Sequence, residues 1–194
     1  MTFVPDNAAF WLADRAKACC FTGHRSLPAD RLDDIRETTR HVVRVLIHAG
    51  FRVFLCGGAL GFDTLAEKVV LEMKEAEPEI KLLLALPCRD QTKAWMRLPR
   101  DMACSALREY QRIKGLADGV CYVNPFYFDG CMRERNRFMI ENSSFCVGYY
   151  AGTLKSGAGQ TWRMAQKEGL KRYNVFDMLP KRGGAEEGSS SQNH

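Results

Sequence analysis

The sequence has no apolar run approaching the ~20 residues that a bilayer-spanning helix needs, so no membrane-embedded segment is expected. Its first residues, MTFVPDNAAFWLADRAKA, lack a basic start and are interrupted by Asp6, Asp14 and Arg15, which excludes a signal-peptide reading. Neither sign of charge dominates. The formal net charge of +5 suits anionic ligands but is too small by itself to argue for nucleic acid. No Cys-x-x-Cys pair occurs among the 8 cysteines and no histidine lies at zinc-ligand spacing from them, so no metal site is expected. Most cysteines stand inside apolar strand-like runs (ACCF, VFLC, GVCYV, FCVGYY), where a free thiol behaves as a small hydrophobe. That usage points to a reducing, cytoplasmic setting. Internal repeats are absent as well.

What is present is an alternation. At 194 residues the chain is long enough for one domain with a substantial core. Residues 18–22 (ACCFT) read as a strand, and 29–49 carry Ile35, Val42, Val43, Leu46 and Ile47 at helical spacing before Gly50 stops the helix. FRVFLC (51–56) predicts a second strand, 63–76 a second helix, and IKLLLALP (80–87) a strand covered on both faces. A basic, partly helical stretch spans 91–114. Then follow strand DGVCYVN, a helix from about 129 to 142, strand FCVGYY, a helix from about 158 to 168, and strand RYNVF. Six such alternations imply an α/β fold: a Rossmann-like three-layer sandwich with a mainly parallel central sheet. Residues 1–16 read as an N-terminal extension with a short helix, 17–179 as the single domain, and the Gly/Ser-rich 180–194 as a disordered tail.

Four clusters of unusual residues follow predicted strands or open the next helices: FTGHRSLP (21–28), LCGGALGFDTLA (55–66), CMRERNRFM (131–139) and AGTLKSGAGQTWRMA (151–165). In parallel sheets, ligands bind at that carboxyl edge. Gly57 and Gly58 would let a strand-to-helix turn pass close under a phosphate or ribose. Gly61 would open a helix whose free N–H groups favour an anion. Asp63 has two open readings, helix capping or a bond to ribose hydroxyls. Gly23 ends a strand and lets Thr22, His24 and Arg25 fan out, with Arg25 suited to clamp a phosphate. His24 reads as packing or ligand contact before catalysis, because no partner carboxylate is evident. His41 and His48 fall on the polar face of a helix. Met132, Phe138 and Met139 look like core anchors, and at ~100° per residue Arg133, Arg135 and Arg137 cannot share one helix face.

Five segments taken in order resemble the YpsA-like family of the SLOG superfamily, Rossmann-like proteins related to DprA and to the LOG phosphoribohydrolases. They are CCFTGHR, CGGALGFDTLA, ALPCRDQTKAW, MRERNRFMIENSS, and the glycine-containing segment with Thr161 and Ala165. The resemblance covers Cys19 to Phe176. It implies a sheet-edge pocket for a nucleotide-derived small molecule, such as a nucleotide, ADP-ribose or an NAD-like molecule, and no separate cofactor. It leaves homodimerisation open. Against the LOG helix M-x-E-R-K-x-x-M, Arg135 falls on the family's catalytic arginine and Asn136 replaces the lysine. Against P-G-G-x-G-T-x-x-E, the chain reads Ser156-Gly157-Ala158-Gly159-Gln160-Thr161-Trp162-Arg163. An arginine cannot serve as the catalytic carboxylate. Gly157 and Gly159 still permit a phosphate cradle, with Ser156 and Thr161 supplying hydroxyls.

The resemblance therefore implies binding or sensing without LOG-type hydrolysis. One rival is a nucleotide-processing enzyme drawing on Asp63, Asp129 or Glu141; the other is a DprA-like binder of single-stranded DNA. For the basic stretch 91–114 the preferred reading is a flap over the pocket mouth, with Trp95 against ligand or core, rather than a nucleic-acid surface. Asp101 and Glu109 dilute its charge.

Overall fold

The computed structural model describes residues 14–152 and 156–180. The expected helix in 1–16, the tail and part of the 151–165 cluster lie outside the described residues, although Arg15–Lys17 form a 3-10 turn. Among the described residues, six strands alternate with five α-helices. The strands are β1 Ala18–Gly23, β2 Val53–Cys56, β3 Lys81–Leu86, β4 Gly119–Tyr122, β5 Phe145–Tyr149 and β6 Lys171–Asn174. The helices are α1 Leu32–His48, α2 Phe62–Ala76, α3 Arg100–Leu116, α4 Cys131–Glu141 and α5 Gly157–Lys167. Every strand pairing is parallel, in the order β4-β3-β2-β1-β5-β6.

Alternation along the strands builds two cores. Successive side chains point to opposite faces of a sheet. Cys19, Phe21, Phe54, Cys56, Leu82, Leu84 and Leu86 face one side and pack beneath α1, α2 and α3. Ala18, Cys20, Leu55, Leu83 and Ala85 face the other and meet Met139 and Ile140 of α4 and Ala165 of α5. This is why β3 reads as an unbroken apolar run: both of its faces are covered. Each large side chain so buried contributes ~1.5–3 kcal/mol. Helix α1 buries Ile35, Val42, Val43, Leu46 and Ile47, while Thr39 on the same stripe satisfies its hydroxyl on the Ile35 carbonyl at 2.7 Å. Gly50, with φ of +90°, terminates it. Seven cysteines are buried free thiols and Cys104 is exposed. No helix among the described residues is long and apolar enough to cross a membrane.

The sheet order fixes where a site can form. From β1 the chain steps outward through β2, β3 and β4, then crosses back through α4 to lay β5 on the other side of β1. The segments after β1 and β5 therefore leave the same edge toward opposite layers, and a crevice opens between them.

Candidate functional site

A cavity of about 370 Å³ occupies that crevice. Thr22, Gly23, His24 and Arg25 border it from the end of β1. Arg135 and Asn136 reach it from α4, Ser156 and Gly157 from the start of α5, and Asp63 from α2. Nine of the fourteen expected residues thus converge. Gly57, Gly58, Gly61, Gly159 and Thr161 do not border it.

Those five are occupied within the protein. A Cβ on Gly57 would lie 1.5 Å from Arg135 Nη1 and 2.7 Å from Asp63 Oδ2. The arginine donates to the Gly57 carbonyl, 78 positions away in sequence. Gly58 (φ +63°) is packed from the opposite layer, where a Cβ would meet Leu86 at 2.4 Å. Gly61 caps α2 at φ +81° and is pressed against the carbonyls of His24 and Arg25, and the Phe62 N–H donates to His24 O at 3.1 Å. The N-terminus of α2 is therefore covered by the loop after β1. That corrects the expectation of a free anion seat at Gly61: the close neighbour is the protein's own backbone. The Thr161 hydroxyl donates to Gly157 O at 3.0 Å and accepts from Asn136 Nδ2 at 2.7 Å, tying α5 to α4. Gly159 N–H donates to the Ser156 hydroxyl, which caps α5.

Asp63 forms no side-chain cap on its own helix. Its carboxylate instead stands 3.8 Å from Arg135 Nη1. Burial pushes the Asp63 carboxyl up, and the Arg135 guanidinium opposes that rise. Burial also pulls the Arg135 guanidinium down. Its Nε has no hydrogen-bond partner among the described residues, although the side chain is only 5% exposed. A buried donor left in that state costs free energy. His24 Nε2 accepts from the Ala151 N–H at 3.1 Å, so its ring holds the segment after β5. Its rings of contact are Tyr149 and Tyr150, at 6.2 and 6.0 Å.

Two polar residues escaped the sequence reading. Glu67 is 2% exposed and accepts the Gly58 N–H at 3.1 Å; burial, with Asp63 nearby, pushes its carboxyl well above the usual range. Gln91 donates to the Gly58 carbonyl at 3.1 Å. A signal for Glu67 existed: it shares the buried stripe of Asp63, Ala66 and Val70. The expected flap is also corrected. The 3-10 segment Gln91–Arg97 and α3 do not border the cavity; Trp95 packs edge-on against Tyr110 with ring centroids 5.3 Å apart. On α4, Arg135 and Met139 turn inward and Arg133 and Arg137 outward, while Met132 borders the cavity.

A larger groove of about 1250 Å³ runs between α1, α2 and α3. Of the expected residues only Arg25 and Gly61 touch it, and its charges pair with one another, as in Arg36–Glu72 and Lys68–Glu109. The smaller cavity has the convergent polar groups. Among the described residues, no group of three or more His, Cys, Asp or Glu side chains is placed to hold a metal ion.

Comparison with known proteins supplies a family. Residues 19–179 match the model of the YspA SLOG family. The uncharacterised SPbeta prophage-derived protein YoqJ of Bacillus subtilis is 29% identical over 126 residues, 59% of this chain and 69% of that protein. A UPF0398 protein of Halalkalibacterium halodurans is 26% identical over 118 residues, 60% of this chain and 59% of its own length. Among solved structures, DprA of Streptococcus pneumoniae superposes with a TM-score of 0.56 at 16% identity, covering 80% of this chain but 48% of that one. DprA of Helicobacter pylori, described for its single-stranded DNA binding mode, gives 0.56 at 22% identity over 88% of this chain and 68% of its own. These likenesses establish a shared Rossmann-like fold.

Proposed function

The chain belongs to the YspA SLOG family, and from that premise we propose that it binds or senses a nucleotide-derived small molecule in the crevice between β1 and β5. One observation carries the reading: the buried Arg135, with an unpartnered Nε, borders the same cavity as the capped N-terminus of α5. Both features favour an anion, the first as a charged donor and the second through its backbone N–H groups and dipole. The volume, about 370 Å³, falls in the ~300–1,000 Å³ range of small-molecule sites. Thr22 and Asp63 lie within the same walls to meet hydroxyl groups. Hydrolysis of the LOG type is not part of the proposal, since Arg163 holds the glutamate position and is engaged with the Gly159 carbonyl at 3.3 Å.

From the sequence, nucleic acid ranks below a small molecule, with a DprA-like binder of single-stranded DNA kept as a rival. The likeness to the Helicobacter pylori DprA, described for its single-stranded DNA binding mode, keeps oligonucleotides among the candidate ligands.

Thermal-shift titration with AMP, ADP-ribose and NAD tests the reading. Ligand at 100 times Kd should stabilise the native state by about 2.7 kcal/mol. Among the described residues a Cβ on Gly157 meets nothing within 4 Å, so Gly157→Trp adds bulk at an open position of the cavity wall. This variant should keep the unliganded melting temperature and lose the shift. Absence of any shift in the parent protein would overturn the proposal, as would turnover of AMP to free base and ribose 5-phosphate.

A further inference from the structure

The loop between β4 and α4 exposes three aromatic residues in succession: Phe126 at 75%, Tyr127 at 58% and Phe128 at 41%. Water contact on three adjacent large rings is unfavourable and calls for a partner with flat apolar faces. The segment is held in place. Val123 and Asn124 donate to the carbonyls of Leu86 and Pro87, the Tyr127 N–H donates to Asp90 Oδ1 at 3.2 Å, and the Cys131 N–H donates to Phe128 O at 3.1 Å. It runs directly into α4, and Met132, four residues beyond Phe128, already borders the cavity. The loop that carries the rings therefore leads directly into the helix that borders the cavity.

The surrounding charge is mixed but includes free-standing cations. Arg133 and Arg137 are exposed on α4 with Asp129 and Glu134 beside them, Arg25 is exposed at the end of β1, and Arg89 lies 4.7 Å over the Tyr122 ring. Asp90 is engaged by Lys93 at 3.2 Å.

We propose that the ligand is the end of a single-stranded oligonucleotide, with one nucleotide in the cavity and the following one or two bases stacked on Phe126, Tyr127 and Phe128. This rests on the anion-binding reading of the cavity and extends it. The cavity has room for a single nucleotide, the rings offer the π-faces that successive bases use, and Arg25, Arg133 and Arg137 meet the connecting phosphates. Stacking on a ring face does not read a base by its edge, so the platform accepts any sequence. Deoxyribose and ribose strands share this chemistry, and the experiment separates them.

The test measures binding of oligodeoxyadenylates and oligoriboadenylates of one to eight nucleotides by competition anisotropy, alongside AMP by thermal shift. Affinity should rise by about 10-fold or more from one nucleotide to three, then level off. The double variant Phe126→Ser, Phe128→Ser should return the trinucleotide to mononucleotide affinity while leaving the melting temperature and AMP binding unchanged. Gly157→Trp should lose both ligands. Affinity that does not grow with length overturns the proposal but leaves the cavity reading intact if AMP binds. Oligonucleotide binding that survives Gly157→Trp also overturns it, because the platform would then act apart from the cavity. Capture of the parent protein by phosphatidylserine vesicles, lost in the double variant and unmatched by any oligonucleotide, would assign the rings to a lipid surface instead. Failure of AMP, ADP-ribose, NAD and oligonucleotides alike would overturn the two readings together.

Discussion

Two glycine-rich junctions in this protein look alike in sequence and do opposite things. The turn Gly57–Gly61 between β2 and α2 is filled from every side by the protein: Arg135 and Asp63 against Gly57, Leu86 and Gln91 against Gly58, backbone carbonyls against Gly61. The start of α5 at Gly157 has no atom of the described residues within 4 Å of where a Cβ would lie, and it borders the cavity. A glycine records that something comes close or that space is kept free. Which of these applies depends on neighbours brought in from elsewhere in the chain.

Substitutions should separate the two junctions sharply. The largest effect is expected from Gly57→Ala, which must expel the Arg135 guanidinium and strand Asp63 as a buried charge. A loss of roughly 3–5 kcal/mol is expected by chemical denaturation. A loss below about 1 kcal/mol would show that the turn relaxes and that the comparison is wrong. Arg135→Ala should cost a similar or somewhat smaller amount, about 3 kcal/mol, for the same reason. Adding Asp63→Asn should recover part of it. Strict additivity of the two changes would mean the 3.8 Å pair carries no coupling.

A smaller effect concerns pH. Burial holds the Glu67 carboxyl well above its ordinary value, so the folded state binds its proton more tightly than the unfolded state. The resulting stabilisation is complete below the unfolded pKa of ~4.3 and is lost as pH rises through the raised folded value. Glu67→Gln keeps an oxygen for the Gly58 N–H and removes the titration. It should match the parent near pH 4 and be more stable by about 1–3 kcal/mol at pH 8, with a flatter stability profile. Parallel profiles for the two proteins would refute the assignment. The smallest change is expected at the open junction: Gly157→Ala should lie within about 0.5 kcal/mol of the parent, on the stabilising side through reduced unfolded-state freedom.

Strand and helix boundaries were legible because burial imposes a local period. Leu82 to Leu86 in β3 read as a doubly covered strand, and the α1 stripe emerges from residues three and four apart. Much of the site was legible too, since Thr22–Arg25, Arg135, Asn136, Ser156 and Gly157 are polar or flexible residues that follow strands or stand in the first turns of the next helices. Glu67 and Gln91 were missed because each bonds a distant backbone group, and nothing in the neighbouring sequence reports that group's orientation. The flap expected at 91–114 failed for a related reason: basic and aromatic spacing does not specify the layer on which a segment packs.

The amino-acid order by itself determined the alternation of elements, the two apolar cores and the edge at which unusual residues gather, because periodic burial acts between residues a few positions apart. Tertiary structure alone decided that the arginine of α4 fills the space left by Gly57, that Gly61 seats backbone rather than ligand, and that Gly157 remains open. The first of those outcomes depends on the crossover through α4, which carries a side chain back across 78 positions. A long-range approach of that kind leaves no period along the chain.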